Sequence, residues 1–329
     1  MVNIYGTDCS NAWIEYFKSI SNNDPNDVFS DESKEISKFV NDWHKCSFNY
    51  PPSILDAPIT VAEVKYAIDK SRRNKASGID NLFNEFFKYG GDVLWQQLTT
   101  LFNIMFDQET IPDDWCRAII VPLFKGGDRK MVNNYRGISL LSVVGKLYAS
   151  VINNRLINFV ESNNLLVEEQ AGFRRKRSTI EQIFILFEII SSRSKSKKHT
   201  YCCFIDVRKA YDSVFRDSMW WHLIHKGIAG KMYRVLRAFY NKVESCVQLN
   251  GKYSDFFTSD IGVRQGCLLS PILFSIFING LAEAVKGLNV GVNVMGKMVS
   301  ELLFADDIVL MAENAQDLQL YAKTSKNVV

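Results

Sequence analysis

The sequence predicts an α+β fold, and three observations carry that prediction. The apolar runs Leu302-Leu303-Phe304-Ala305 and Ile308-Val309-Leu310 flank Asp306 and Asp307 and favour strands, so the stretch reads as strand, tight turn, strand with the acids at the turn. Residues 118–124 and 201–207 are further apolar runs of strand character. Long amphipathic helical patterns alternate with them. One covers 93–106 through Leu94, Leu98, Leu101, Phe102, Met105 and Phe106; another covers 142–160 through Val143, Val144, Leu147, Val151, Leu156, Ile157 and Val160. Adjacent acids held between buried strands repel unless a cation compensates, and a hard divalent metal with oxygen ligands suits them.

A chain of 329 residues can bury a large core and build more than one lobe. Its 47% hydrophobic and 23% charged content is that of a soluble globular protein, which excludes disordered and fibrous classes. The net charge of +3 identifies no partner. The cysteines (Cys9, Cys46, Cys116, Cys202, Cys203, Cys246 and Cys267) are odd in number, scattered and without C-x-x-C spacing. They read as free thiols in a reducing compartment rather than a disulfide or zinc framework. The start lacks the form of a signal peptide, and the longest apolar run, 268–278, is too short for a membrane span and contains Pro271. The expectation is an intracellular protein of the nucleus and/or cytoplasm, with no membrane association and an oligomeric state left open.

Residues 1–57 read as a poorly organised linker region, with a short helix around 11–21 and a polar linker, Ser21-Asn22-Asn23-Asp24-Pro25-Asn26-Asp27. Residues 58–104 read as a helical extension. Thr60 and Glu63 form a capping-box pattern, and the basic loop Arg72-Arg73-Asn74-Lys75-Ala76-Ser77-Gly78-Ile79-Asp80 is either a solvated loop or a phosphate contact. The main domain is expected over 105–329. Pro122 within 118–124 argues for an edge strand. Lys125 and Arg136 flank the turn Gly126-Gly127-Asp128, where two cations can hold a triphosphate or be ordinary surface charges.

Gln170-Ala171-Gly172-Phe173-Arg174-Arg175-Lys176-Arg177 opens the clearest basic patch. Between Gln170 and His199 stand eight Lys or Arg against two Glu, a pattern that fits a nucleic-acid contact, a nuclear address or a solvated face. The strand 201–207 carries Asp206 at its end, and Arg208-Lys209-Ala210-Tyr211-Asp212 reads as a helix start; alone, Asp206 is better explained as an N-cap. His222 and His225 are three apart on a predicted helix but lack a further ligand of the right kind nearby. Asn250-Gly251 predicts a hairpin turn. The loop Gly262-Val263-Arg264-Gln265-Gly266-Cys267 then feeds a helix over 272–285, letting backbone approach a substrate or simply starting that helix. Met295-Gly296-Lys297 turns the chain into the double-acid hairpin, and a last helix begins near Ala315.

An acid at a strand end (Asp206), a Gly-Gln-Gly loop with its helix, and a double-acid hairpin (Asp306, Asp307) is an order that suits two-metal nucleotidyl transfer. That chemistry needs carboxylates bridging ions about 4 Å apart. In this order, and together with Asn74–Asp80, Val121-Pro122-Leu123-Phe124-Lys125, Asn134-Tyr135-Arg136-Gly137-Ile138-Ser139-Leu140-Leu141, Gln170–Arg174 and Phe204–Asp212, the chain resembles the reverse transcriptase of a non-LTR (LINE-type) retrotransposon. The resemblance runs from about Ile59 onward and is densest from Trp115 to Leu310.

The resemblance implies a right-hand polymerase fold with fingers and palm, the thumb absent from these residues. It implies an RNA-directed DNA polymerase that adds dNTPs to a DNA primer on an RNA template. Asp206, Asp306 and Asp307 match the catalytic carboxylates that hold two Mg²⁺ ions, with Mn²⁺ as an alternative. Lys125 and Arg136 match the finger cations on the triphosphate, and Tyr211 the aromatic gate against a 2′-hydroxyl. Gln265 matches the loop touching nucleotide and template, and Phe304 and Ala305 stand beside the primer terminus. Arg174, Arg175, Lys176 and Arg177 are expected on the template backbone. Gly137 departs from the proline usual at its place, and no endonuclease motif or zinc knuckle appears. Two alternatives are an inactive fragment that retains only RNA or other nucleic-acid binding, and an intron-encoded maturase-type reverse transcriptase.

Overall fold

The computed structural model describes residues 9–22, 30–45, 53–207, 209–294 and 296–328. Helices α1 (Cys9–Ser21), α2 (Asp31–Lys45), α3 (Val61–Lys70), α4 (Asn84–Tyr89), α5 (Gly91–Gln108) and α6 (Asp113–Cys116) precede strands β1 (Arg117–Phe124) and β2 (Tyr135–Leu141). Next come α7 (Val143–Ser162), α8 (Thr179–Lys195), β3 (Tyr201–Asp206), α9 (Arg216–His225), α10 (Gly230–Ala238), β4 (Glu244–Leu249), β5 (Lys252–Tyr253) and β6 (Phe257–Thr258). The last are α11 (Ser270–Gly287), β7 (Val292–Val294), β8 (Lys297–Val299), β9 (Glu301–Phe304), β10 (Asp307–Ala312) and α12 (Ala315–Val328). They form two compact units, one of Met1–Phe159 with Tyr211–Ser270, the other of Val160–Ala210 with Pro271–Val329.

In the first unit the capping box forms as the sequence implies. The Thr60 hydroxyl accepts from Glu63 N, and the Glu63 carboxylate accepts from Thr60 N. Arg155 of α7 grips the same carboxylate through Nε and Nη2, at 2.6 and 2.9 Å, and so ties α3 to α7. The unit's sheet runs β2-β1-β4-β5, with β6 also on β4. β1 is therefore an inner strand, not the edge strand that Pro122 suggests. Its parallel pairing with β4 covers only Arg117 to Ile120, so the proline, which lacks an N–H, lies beyond that ladder and meets Gly137 on β2.

The short helix expected around 11–21 forms as α1, but the described part of residues 1–57 is not a loose linker. α1 buries Trp13 and Phe17 against Ile120, Val247 and Phe257. α2, which is mostly polar in sequence, is fixed by buried Val40, by Ser37 Oγ donating to Asp217 and by a 2.6 Å bond between His44 Nε2 and the Tyr233 hydroxyl. Ile36, Phe39, Val40 and Trp43 stand at i, i+3, i+4 and i+7, so the sequence does carry a helical apolar stripe here, one that the linker reading passed over. The expected boundary between residues 104 and 105 falls inside α5, whose buried Phe102, Met105 and Phe106 form one continuous face.

The second unit holds the sheet β3-β10-β9 and the hairpin β7-β8. Ile189 of α8 covers Leu302 and Met311, together with the Val292 side chain. Beyond β9, Leu303 N donates to Glu169 O at 3.0 Å and Ala171 N donates to Leu303 O at 2.9 Å, so residues 169–171 extend the ladder. Among the described residues no helix starts at 209–212 as expected: these four residues are turns and α9 begins at Arg216. Arg208, Met295 and residues 23–27 of the expected linker lie outside the described residues. Among the described residues no helix is long and apolar enough to cross a membrane, and Cys116, Cys202, Cys203, Cys246 and Cys267 are free thiols.

Glu301 on β9 is 1% exposed, and neither carboxylate oxygen meets hydrogen-bond geometry with a partner among the described residues. Burial, opposed by the nearby Ser300 hydroxyl and reinforced by Glu169, pushes its pKa from 4.5 up to about 7. Below about pH 4.5 the carboxyl is neutral in folded and unfolded chain alike, and its contribution to stability is fully present. As pH rises the unfolded chain ionises first, so stability falls until pH passes about 7. Glu301→Gln is expected to remove this dependence and to gain roughly 1–3 kcal/mol at pH 8 in urea denaturation.

Candidate active site

β9 and β10 meet in a two-residue turn, Ala305-Asp306, closed by the pair Phe304↔Asp307. On the other side of β10, Asp307 is the direct antiparallel partner of Asp206 at the end of β3. The sequence separates these acids by a hundred residues and the sheet makes them neighbours. Directly opposite residues share a face, with Cβ atoms roughly 5 Å apart. Asp206 and Asp307 therefore stand on one face, in line with the pairs Phe204–Val309 and Cys202–Met311. α8 covers the Met311 end of that face, whereas both acids are exposed at the other end. Asp306 is half-buried in the turn.

The three acids are oxygen donors with no ion pair among the described residues, which suits a hard divalent cation in type and charge. Their side chains do not converge: among the described residues no three His, Cys, Asp or Glu side chains are gathered as a metal set. Like charges on facing positions repel, and only a cation would draw them together. Phe204, two residues before Asp206 on the same face, is 71% exposed. The sequence treated it as one more apolar strand residue; its signal was an aromatic at the period-2 position that shares the acid's face.

Lys125, Arg136, Tyr211 and Gln265 lie in the first unit and share one framework. Lys125 and Arg136 are both exposed at the mouth of the β1–β2 connection. There Lys125 N donates to Asn134 O at 2.9 Å, and Arg136 pairs with Leu123. Neither cation has an ion pair among the described residues, so both charges remain available to an anion. β2 also carries the glycine loop: a Cβ on Gly266, whose φ is +85°, would stand 2.9 Å from Ser139 O. Gln265 Nε2 donates to both carboxylate oxygens of Asp212, at 2.7 and 2.8 Å, while Val263 N donates to Tyr211 O at 2.7 Å. The loop of Gln265 and the turn of Tyr211 are thus bonded to each other, and Asp212 is a loop-holding residue that the sequence did not single out.

Gly137 has a physical account. A Cβ there would meet Phe17 Cε1 at 2.7 Å and Ile120 Cγ2 at 2.9 Å, so packing of α1 excludes a side chain. The loop 72–80 is structural at its end. A Cβ on Gly78 would stand 2.3 Å from the Leu141 backbone, and Asp80 accepts from Val143 N at 2.9 Å at the start of α7.

The basic stretch divides. The Arg174 side chain is 7% exposed and donates to both Glu161 oxygens, at 2.9 and 2.8 Å, and to the carbonyls of Val167 and Gln170. Arg177 is paired with Glu168. Arg175 and Lys176 are exposed. Farther along, Arg193 is 6% exposed and bound to Glu313, Thr200 and His199 O, so it too belongs to the interior.

A family sequence model described as reverse transcriptase (RNA-dependent DNA polymerase) matches residues 125–329. The chain is 31% identical over 221 residues to a "Probable RNA-directed DNA polymerase from transposon BS" of Drosophila melanogaster, covering 67% of the chain and 24% of that relative. It is 28% identical over 265 residues to the "RNA-directed DNA polymerase from mobile element jockey" of Drosophila funebris, covering 78% and 28%. It is 27% identical over 269 residues to the "Transposon TX1 uncharacterized 149 kDa protein" of Xenopus laevis, covering 80% and 20%. The matched part is about a quarter of the length of these curated relatives.

Since the Arg174 side chain is almost wholly enclosed, Arg174→Ala is expected to leave Glu161 without its partner and to lower unfolding free energy by about 2 kcal/mol. Lys176→Ala, at an exposed position, is expected to change it by less than about 0.5 kcal/mol. Chemical denaturation of the two variants checks both.

Proposed function

Because the chain belongs to the reverse transcriptase family, we propose that it is the polymerase part of a non-LTR retrotransposon protein, extending a DNA primer with dNTPs on an RNA template. The observation that carries this is the direct pairing of Asp206 with Asp307, with Asp306 next in the turn. Three acids without cationic partners among the described residues, at the open end of a sheet whose other end is packed, are the donor set that phosphoryl transfer uses.

In this proposal Asp206, Asp306 and Asp307 hold two Mg²⁺ ions, with Mn²⁺ as a substitute. When bound, such ions lower the pKa of the primer 3′-hydroxyl and neutralise charge on the triphosphate. The chain's own residues do the positioning. Lys125 and Arg136, without acidic partners among the described residues, attract and orient the triphosphate. Tyr211, held through its carbonyl by Val263 N, packs under the sugar and rejects a 2′-hydroxyl. Gln265 meets the nucleotide and template from the glycine loop, and Phe304 and Ala305 lie beside the primer terminus. Arg175 and Lys176 engage template phosphates independently of sequence, while Arg174 holds their loop to Glu161 and Arg177 holds it to Glu168.

Primer extension on an RNA template with MgCl₂ tests the proposal. Asp306→Asn is expected to reduce extension by about 10³-fold or more without loss of folding. Unchanged extension by this variant rejects the assignment, and RNA binding without incorporation by the parent chain favours a nucleic-acid-binding fragment instead. Tyr211→Ala is expected to admit ribonucleotides, and continued rejection by a folded variant refutes the gate.

A further inference from the structure

Ala305 opens the turn that carries Asp306, and its φ is +62°, in the left-handed region. Asp306 is not among the positive-φ residues, so the turn has the sign pattern of a type II′ hairpin, whose first position normally takes glycine. An alanine there is strained and persists only where its surroundings over-determine it.

The surroundings are specific. Gln170 is 0% exposed, and its Oε1 accepts from Gly172 N at 2.8 Å and from Ala305 N at 3.3 Å. Gly172 lies so close that a Cβ on it would stand 2.1 Å from Ala305 N. The main-chain bonds between Leu303 and residues 169 and 171 already anchor β9. The glutamine adds a side-chain bond that reaches past them to the strained residue. Its Nε2 has no hydrogen-bond partner among the described residues. A buried amide with one end unsatisfied adds little net stability, so its oxygen is the feature that matters.

We propose that Gln170 is a positioning residue. Its amide oxygen locks Ala305 in the left-handed conformation and so fixes the direction in which Asp306 leaves the turn, with Gly172 as the gap that lets the lock close. The consequence for metal binding rests on the role proposed above for Asp306; the lock itself does not.

Amide exchange of the full chain, followed by NMR, reads the lock directly, and a MgCl₂ titration of primer extension reads its consequence. Gln170→Met, which keeps bulk and loses the acceptor, is expected to speed exchange at Ala305 about tenfold while Ile308 to Leu310 stay protected. It is also expected to raise the Mg²⁺ midpoint about tenfold with the KM for primer-template unchanged. Gln170→Glu keeps an acceptor oxygen at the same reach and is expected to stay within about threefold of the parent in both readouts. Unchanged exchange at Ala305 in Gln170→Met overturns the proposal, as does a Gln170→Glu variant equally impaired. If Gln170→Met unfolds the sheet, Gln170→Asn, whose amide is one methylene short, takes its place; global exchange in both variants also overturns the lock. If the parent chain extends no primer, the polymerase proposal fails, and exchange at Ala305 still decides this one.

Discussion

Two carboxylates facing each other across a β-ladder are the constraint around which the second unit is built. The pairing of Asp206 with Asp307 is unfavourable on its own, since like charges on facing positions destabilise a sheet. It persists because the register is set elsewhere. Four pairs hold β9 to β10, six hold β10 to β3, and Ile189, Leu302 and Met311 pack one face. A one-residue slip would turn that apolar face outward, so hydrophobic burial fixes the register and the acids must accept the place it gives them. Both acids thus stand at the exposed end of the sheet, where water screens their like charges.

The first unit handles its functional groups differently. Its glycines mark close approaches, to backbone at Gly266 and Gly78 and to packed side chains at Gly137. Gly266 passes against Ser139, Gly137 lies under Phe17, and Gly78 runs along Leu141. Around these contacts the polar groups satisfy one another, as Gln265 does with Asp212, while Lys125 and Arg136 stay outside any ion pair among the described residues. A charge already neutralised by a neighbour has little left for a phosphate, so this division between bonded and unbonded groups is itself functional information.

The same division corrects the impression that composition gives. The run from Gln170 to His199 is strongly basic in sequence, yet Arg174 and Arg193 are enclosed and spent on Glu161 and Glu313, and Arg177 meets Glu168. These partners stand 13, 120 and 9 residues away in sequence. Counting charge along the chain cannot see them, because enclosure and pairing are properties of packing. Conversely, Glu301 carries no local signal, yet it is a buried acid on the strand that leads into the double-acid turn.

Much of this protein is determined by its sequence alone. Apolar periodicity fixes α5, α7, α11 and the β9–β10 hairpin, because burial of one face needs only the right spacing of residues. The capping box at Thr60 and the Asn250-Gly251 turn, both residues of which have positive φ, form because their chemistry is local. The ordered acids, cations and glycines sufficed to place the chain among reverse transcriptases, since reaction chemistry restricts which residues can stand there. Tertiary structure decided the rest. α2 has a helical stripe in Ile36, Phe39, Val40 and Trp43, but its polar anchors, Asp217 on α9 and Tyr233 on α10, are distant in sequence and only the fold supplies them. β1 became an inner strand despite Pro122 because β4 pairs only below the proline. The Gln170 contact to Ala305 spans 135 residues. Contacts of that separation leave no pattern along a chain, since they exist only once the sheet has brought the two segments together.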